Sequence, residues 1–338
     1  MLSPEHTRRL TQALCRTCCT AGITRAWEWR RGGQGVSFLR VRFGPSARHE
    51  PCEHWTHESL VAALDVVAQH YRVVAIDEAV AALKRERALP RSALVLVISL
   101  DSSPRQIDLA QALAHAKTPS VLYVAPGLLE RGMLPWPVMI RLALEQVVGD
   151  AVEMYGRRWL LTGPEYRRAA RDGITARLYA LPEADRSARA EELVESWGVS
   201  FDAVPGLRWY EVESLARSDL ITIGAAGLTG DSLVRLPLER AAYEMRQARV
   251  LLEEHVNARV RHFEYPWEDV SFPVREQVVR AGYASALGRD TGAIGMNRLG
   301  ADPYALTACA LTPGTPERIR MRLAGVGEVF RPLQRVLS

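Results

Sequence analysis

The stretch Leu94-Val-Leu-Val-Ile-Ser-Leu-Asp-Ser-Ser-Pro104 decides the fold. Its first seven residues are apolar-leaning with no regular polar alternation, the pattern of a strand covered on both faces. The run ends on Asp101. A carboxylate at the carboxyl end of a buried parallel strand is where α/β barrels place their chemistry. The flanking sequence agrees. Arg72-Val-Val-Ala-Ile76 predicts a short strand and 76–83 a helix, while 106–116 predict a helix and Ser120-Val-Leu-Tyr-Val124 the next strand. Further upstream, Val36-Ser-Phe-Leu-Arg-Val-Arg-Phe43 alternates as a strand does. Residues 57–70 place Leu60, Ala63, Leu64, Val67 and Ala68 on one helical face. Strand and helix recur in turn, which predicts a parallel sheet or barrel.

From about 127 to 207 the pattern becomes helical and arginine-rich, with few strand signals, and predicts an insertion of several helices between two barrel strands. Leu220-Ile-Thr-Ile-Gly224 returns as a strand. A helix over 237–255 follows, with proline near its first turn and Leu238, Ala241, Met245, Ala248 and Leu252 at helical spacing. Val260-Arg-His-Phe-Glu-Tyr-Pro266 predicts the next strand, then a helix over 273–281 and a strand over 284–287. We expect a helical N-terminal extension over 1–35 and one barrel domain over 36–338 that carries the insertion.

Composition excludes several classes. The formal net charge of the 338 residues is +4, which forces no nucleic-acid or membrane-surface partner. Lys84 and Lys117 are the only lysines among 43 basic residues, leaving 43 − 2 = 41 arginines spread along the whole chain. No apolar run approaches the roughly 20 residues of a membrane span. The N-terminus lacks the apolar segment of a signal peptide, so the expected compartment is the cytoplasm. Five cysteines argue against a disulfide framework. Cys15, Cys18 and Cys19 cluster, but no second ligand pair follows at finger spacing, and a packed helix face is the simpler reading.

Taken in order, these landmarks resemble the polysaccharide deacetylase (NodB-homology) family over roughly 36–311. His70-Tyr-Arg-Val-Val-Ala-Ile-Asp-Glu-Ala-Val80 is similar to the segment before its catalytic strand, and the strand ending at Asp101 to its Thr-Phe-Asp-Asp-Gly motif. Thr118–Val124 resembles the next strand, Leu134-Pro-Trp-Pro137 the entry to the helical insertion, and Trp209–Ala216 a helix after it. Ile223-Gly-Ala-Ala-Gly-Leu-Thr-Gly-Asp-Ser-Leu233 resembles the strand and loop that carry a His-x-x-x-His pair. Phe263-Glu-Tyr-Pro-Trp267 and Ala281-Gly-Tyr-Ala-Ser-Ala286 are similar to two later family motifs. Each signal alone is weak; their order gives them weight.

The resemblance implies a distorted (β/α) TIM-like barrel of the polysaccharide deacetylase type. In active members it implies a divalent metal held by one Asp and two His, the first Asp of the motif acting as base on a metal-bound water, and a separate His protonating the leaving amine. Carried over residue by residue, Asp101 matches the base, Ser102 stands at the metal-binding Asp, and Ala226 and Gly230 stand at the two His. Glu264 falls where many members have an Arg that restrains the base. The family's C-terminal His has no counterpart, since His262 is the last histidine, and an early Tyr-His pair appears as Val41-Arg42. A hydroxyl, a methyl and a hydrogen do not make a zinc site. No metal and no cofactor are therefore expected. Whether the chain is an enzyme stays open in the sequence, since the family it resembles is one of hydrolases of C–N bonds.

Other candidates are weaker. His54 and His57 are three apart, but read as solvated histidines at a helix start. Ser102 and Ser103 lack the Gly-x-Ser-x-Gly elbow of a hydrolase nucleophile. Asp101 and Glu264, if close, would repel and raise the Asp101 pKa. Trp136, Trp209, Tyr265 and Trp267 are expected around the barrel mouth, where aromatic rings suit sugar stacking. The sequence thus predicts a metal-free pseudoenzyme in polysaccharide biosynthesis that takes a glycan, another sugar-containing small molecule or a protein partner. A hydrolase of N- or O-acetylated sugars with a metal-free or relocated site is the alternative, and a structural or assembly protein the third.

Overall fold

The computed structural model describes residues 35–43, 55–100, 108–130, 132, 134–200, 207–290 and 296–324. The expected N-terminal extension, Cys15, Cys18, Cys19, His54, Asp101, Ser102 and Ser103 lie outside them. The described chain begins with β1 (Gly35–Phe43), α1 (His57–His70), β2 (Arg72–Val73), α2 (Ile76–Leu83), β3 (Ala93–Leu100), α3 (Leu109–His115) and β4 (Ser120–Val124). The inserted segment follows, with α4 (Trp136–Gln146), β5 (Ala151–Met154), β6 (Arg157–Leu160), α5 (Pro164–Tyr179) and α6 (Glu183–Ser196). Next come α7 (Trp209–Ala216), β7 (Ile221–Ala225), α8 (Leu238–Val256), β8 (His262–Glu264), α9 (Phe272–Arg280), β9 (Ser285–Asp290), β10 (Met296–Arg298), β11 (Leu306–Leu311) and α10 (Pro316–Ala324).

Seven parallel strands close the barrel in the order β1, β11, β9, β8, β7, β4, β3, and β1 pairs directly with β3 from Ser37↔Leu94 to Phe43↔Leu100. The expected TIM-like barrel is present. Alternation sorts the side chains. On β1, Val36 and Phe38 join Val95, Val97, Val121, Leu287 and Ala308 in the interior. Leu39 and Val41 point outward with Leu96, Ile98 and Leu122, where Leu60, Leu64 and Val67 of α1 and Met245 and Leu252 of α8 cover them. Burying a side chain of this kind stabilises by about 1.5–3 kcal/mol, and the repeat of it around the ring is what selects this topology.

Helix α2 packs Ile76, Ala79, Val80 and Leu83 into the interior cluster and so plugs the amino-terminal end of the barrel. Polar contacts fasten the plug. Asp77 Oδ1 lies 2.8 Å from Arg261 Nη1 and 3.3 Å from His262 Nε2, and His262 Nδ1 is 2.9 Å from Ser285 Oγ. The set has the composition of an acid–imidazole–hydroxyl triad, yet His262 and Ser285 are both 0 % exposed. No substrate reaches that hydroxyl, so the group is a fastening.

The insertion has its own core, built from Trp136, Ile140, Leu144, Trp159, Ile174, Leu178 and Leu193. It contains more than helices. The hairpin β5–β6 pairs Ala151↔Leu160 through Met154↔Arg157, and its turn residues Tyr155 and Gly156 have φ of 51° and 71°. That is the left-handed pair a two-residue hairpin needs. Gly173 of α5 is required for a different reason: a Cβ there would meet Trp159 Cη2 at 2.1 Å.

The fastening at the plug has a pH signature. Contact with the His262 ring, and then the charges of His262 and Arg261, hold the Asp77 carboxyl below its usual range against partial burial. A depressed carboxylate stabilises above its unfolded pKa, and that contribution disappears as pH falls through the lower folded value. Asp77→Asn should therefore lower the urea midpoint at neutral pH but match wild type at strongly acidic pH. Asp77 is nearly half exposed, so the neutral-pH difference should be about 1 kcal/mol or less. An unchanged gap at both pH values would contradict the assignment.

Candidate functional site

The carboxyl ends of β1, β3, β4 and β8 bring charge into the barrel. Arg40 follows Val36 and Phe38 on the inward side of β1 and is 1 % exposed. Its Nη2 lies 2.9 Å from Glu264 Oε1, and its Nη1 2.8 Å from Glu268 Oε1. Nη2 also donates to the Gly288 carbonyl at 3.0 Å. Ser99 Oγ on β3 donates to both Glu264 oxygens at 3.0 Å. Arg42 Nη2 reaches Glu268 Oε1 at 3.4 Å. One guanidinium thus joins two buried carboxylates, and a second stands at their open side.

Glu268 is placed there by an uncommon backbone. Trp267 and Glu268 have φ of 61° and 59°, a left-handed conformation that costs a bulky residue free energy. The turn folds the Glu268 carboxylate back onto Arg40 and lets Trp267 Nε1 donate to the Gly230 carbonyl at 2.8 Å. These contacts offset the strain.

Above the ion network lies a pocket whose lining includes Arg42, Ser99, Tyr123, Ala226, Glu264 and Trp267. The Tyr123 hydroxyl is buried and has no hydrogen-bond partner among the described residues. Burial first, and the Glu264 charge second, push its pKa well above the usual value, with Arg40 acting in the opposite sense. Tyr123 therefore stays protonated, and the residue lines the pocket. Gly224 on β7 makes room for it: a Cβ there would sit 2.6 Å from the Tyr123 ring.

The loop after β7 carries Ala226 and Gly230 to this pocket. Neither has a side-chain donor atom. Gly230 has φ of 73°, so a histidine there would be strained even where space allows it. The loop is pinned by Glu244 of α8, whose Oε2 accepts from Leu228 N and Thr229 N, both at 2.8 Å, and from Thr229 Oγ1 at 3.1 Å. Among the described residues no group of three or more His, Cys, Asp and Glu side chains could hold a metal ion. Ala226 and Gly230 thus offer no side-chain ligand to the divalent metal that the sequence resemblance implies.

The sequence-predicted residues separate. Glu264, Tyr265 and Trp267 line the pocket with Ala226 and Gly230. Trp136 does not: it is 4 % exposed in the insertion core, and its Nε1 donates to Asp231 Oδ1 at 2.7 Å. Trp209 does not either, since it stacks on the His255 ring at 3.6 Å on the outer helical layer. Both tryptophans found a neighbouring apolar or aromatic surface before they reached the mouth. The charge of Glu264 is paired with Arg40, and its expected repulsion of Asp101 falls on a residue outside those described. Arg40, Ser99, Tyr123 and Glu268 escaped the sequence reading, although a charge in phase with inward Val36 and Phe38 was a signal for the first.

The network makes a sharp energetic prediction. Arg40→Met should destabilise the fold by about 3–5 kcal/mol, because buried Glu264 loses its counter-charge and Glu268 loses the nearer of its two arginines. Adding Glu264→Gln should recover a large part of that loss. Denaturant unfolding of the two variants measures it, and equal stabilities would show that Arg40 does not carry Glu264.

No protein-family model matches the sequence, and no curated protein does. Solved structures do resemble it. The IcaB structure from Ammonifex degensii superposes with a TM-score of 0.54 at 16% identity, covering 87% of this chain and 98% of that one. The Streptococcus pyogenes deacetylase PplD, in complex with acetate, gives 0.55 at 9% identity over 86% and 97%. The BpsB deacetylase domain from Bordetella bronchiseptica gives 0.51 at 11% identity over 83% and 97%. At such identities the likeness is one of fold, and in fold this chain is a barrel of the kind these deacetylases have.

Proposed function

We propose that this protein is a degenerate relative of the polysaccharide deacetylases that binds a glycan at its barrel mouth without metal-dependent hydrolysis, in a pathway of polysaccharide biosynthesis. The observation that carries the reading is the chemistry of Ala226 and Gly230, which lie on the pocket with no side-chain donor atom between them. Ser102 as the third position adds one neutral oxygen, where a zinc site takes three deprotonated or neutral-nitrogen protein ligands. The ion network supports the same reading. The barrel holds a fixed charge of its own, so the pocket floor is ordered by Arg40 rather than by a bound cation. Trp267, half-buried at the rim, and the protonated Tyr123 hydroxyl supply the stacking face and the donor that sugar recognition uses.

Energetics weigh against hydrolysis. A lone base acting on ordinary water supplies about 10²–10⁴-fold, and loss of a single oxyanion donor from an acyl-transfer site costs about 2.7–4 kcal/mol. Asp101 without its partners falls short of what an unactivated amide demands. Tyr123 favours a second reading, a metal-free acetyl hydrolase in which its hydroxyl steadies the oxyanion and Asp101 acts as base.

Two measurements decide between them. Release of acetate from N-acetylated oligosaccharides by wild-type protein should equal that of Asp101→Asn. Turnover of about 1 s⁻¹ that vanished in Asp101→Asn would establish the hydrolase and end the binding-only reading. Calorimetric titration with the same oligosaccharides should show binding that Trp267→Ala weakens by about tenfold, the equivalent of about 1.4 kcal/mol. Heats indistinguishable from dilution would remove the glycan from the proposal.

A further inference from the structure

The insertion holds a second concave surface, away from the barrel floor. A groove of about 600 Å³ between α4 and α5 is lined by Arg141, Arg167, Arg168 and Arg171, with Glu145 as the one acid among its described lining residues. Four of ten lining residues are arginine, against 41 of 338 in the chain. The arginine-rich composition alone would place about one there, so the enrichment belongs to the groove. Residues 167, 168 and 171 are spaced to share one side of α5. Arg141 reaches it from α4, only 5 % exposed and 3.2 Å from Glu145. Among the described lining residues four positive charges meet one negative, and Arg171 is also paired with Asp172 at 3.0 Å.

A smaller cavity of about 210 Å³ continues from it. Arg141 and Arg171 border both, and the lining of the second also includes Arg235, Tyr179 and Trp267 together with two acids, Asp172 and Asp269. Trp267 also lines the barrel-mouth pocket. A path therefore runs from the mouth, past one aromatic ring, to a bank of guanidinium groups.

We infer that the groove between α4 and α5 binds an acidic glycan, its carboxylates held by Arg141, Arg167, Arg168 and Arg171 while the same chain extends past Trp267 toward the barrel mouth. The inference rests on the glycan-binding reading above and narrows its ligand class. Guanidinium forks match carboxylates in pairs, and like charges gathered in a concavity attract a polyanion more strongly than the same charges on a flat face. A sugar chain is favoured over other polyanions because the path ends at an aromatic ring beside a pocket with hydroxyl donors.

The test uses full-length protein, an oligogalacturonate, a neutral N-acetylated oligosaccharide, a single-stranded oligonucleotide of equal charge, and inorganic phosphate. The oligogalacturonate should bind most tightly, lose at least about tenfold in affinity in Arg168→Glu/Arg171→Gln, and weaken as salt rises. Arg168→Lys should retain most of the binding, which separates lost charge from lost fold. Binding of the neutral oligosaccharide alone, unchanged in the arginine variant, would overturn the acidic ligand and leave the glycan reading intact. No binding of either sugar would overturn both. Equal affinity for the oligonucleotide, or displacement by phosphate at equal concentration, would make the groove a general anion surface and overturn the glycan assignment.

Discussion

Everything at the carboxyl end of this barrel depends on one buried guanidinium. Arg40 sits inside the sheet, shared between Glu264 and Glu268 at 2.9 and 2.8 Å. A cation taken this far from water is tolerated only with counter-charge and hydrogen bonds close by. That demand explains the surrounding irregularities together. Ser99 is polar in an otherwise aliphatic strand because it completes the hydrogen bonding of Glu264. Trp267 and Glu268 accept positive φ because the turn delivers a second carboxylate. Tyr123 is left protonated beside them by burial and by the Glu264 charge.

The insertion is tied to the barrel by a second buried pair, in which Asp231 accepts from Trp136 Nε1 at 2.7 Å and faces Arg186 Nη1 at 3.1 Å. Burial, the leading influence, raises the Asp231 pKa, while Trp136 and Arg186 pull it back. Arg240 adds a bridge to Glu183 at 2.6 Å. Asp231 follows Gly230 in sequence, so the contact that docks the insertion also fixes the loop bearing Ala226 and Gly230. Insertion, loop and pocket are mechanically one assembly, and the arginine groove is held in constant relation to the mouth.

Much of the fold was legible because burial on both faces leaves an unmistakable mark. Leu94–Leu100 and Ser120–Val124 are aliphatic runs, and helices such as His57–His70 and Leu238–Val256 show an apolar stripe. The hairpin β5–β6 was not legible, because four-residue strands alternating with arginine and glutamate look like the polar face of a helix. Strand β10, three residues long, was missed for similar brevity, and β11, Leu306-Thr-Ala-Cys-Ala-Leu311, because its alanines give little strand signal. Site residues divided along the same line. Glu264, Tyr265 and Trp267 sit in one motif, and all three line the pocket. Arg40 and Glu268 lie 228 positions apart and become a pair only when the barrel closes. Trp136 and Trp209 were overread, since a tryptophan near a motif carries no sign of which surface it covers.

The central claim is that the barrel mouth is organised by fixed protein charge and does not take up a divalent cation. A crystal structure of the full chain, grown with excess zinc and measured at the zinc absorption edge, tests it most directly. The account predicts no anomalous peak in the pocket formed by Ala226, Gly230 and Glu264, with Arg40 still bridging the two glutamates. An ordered zinc ion there, bound through Asp101, would contradict it.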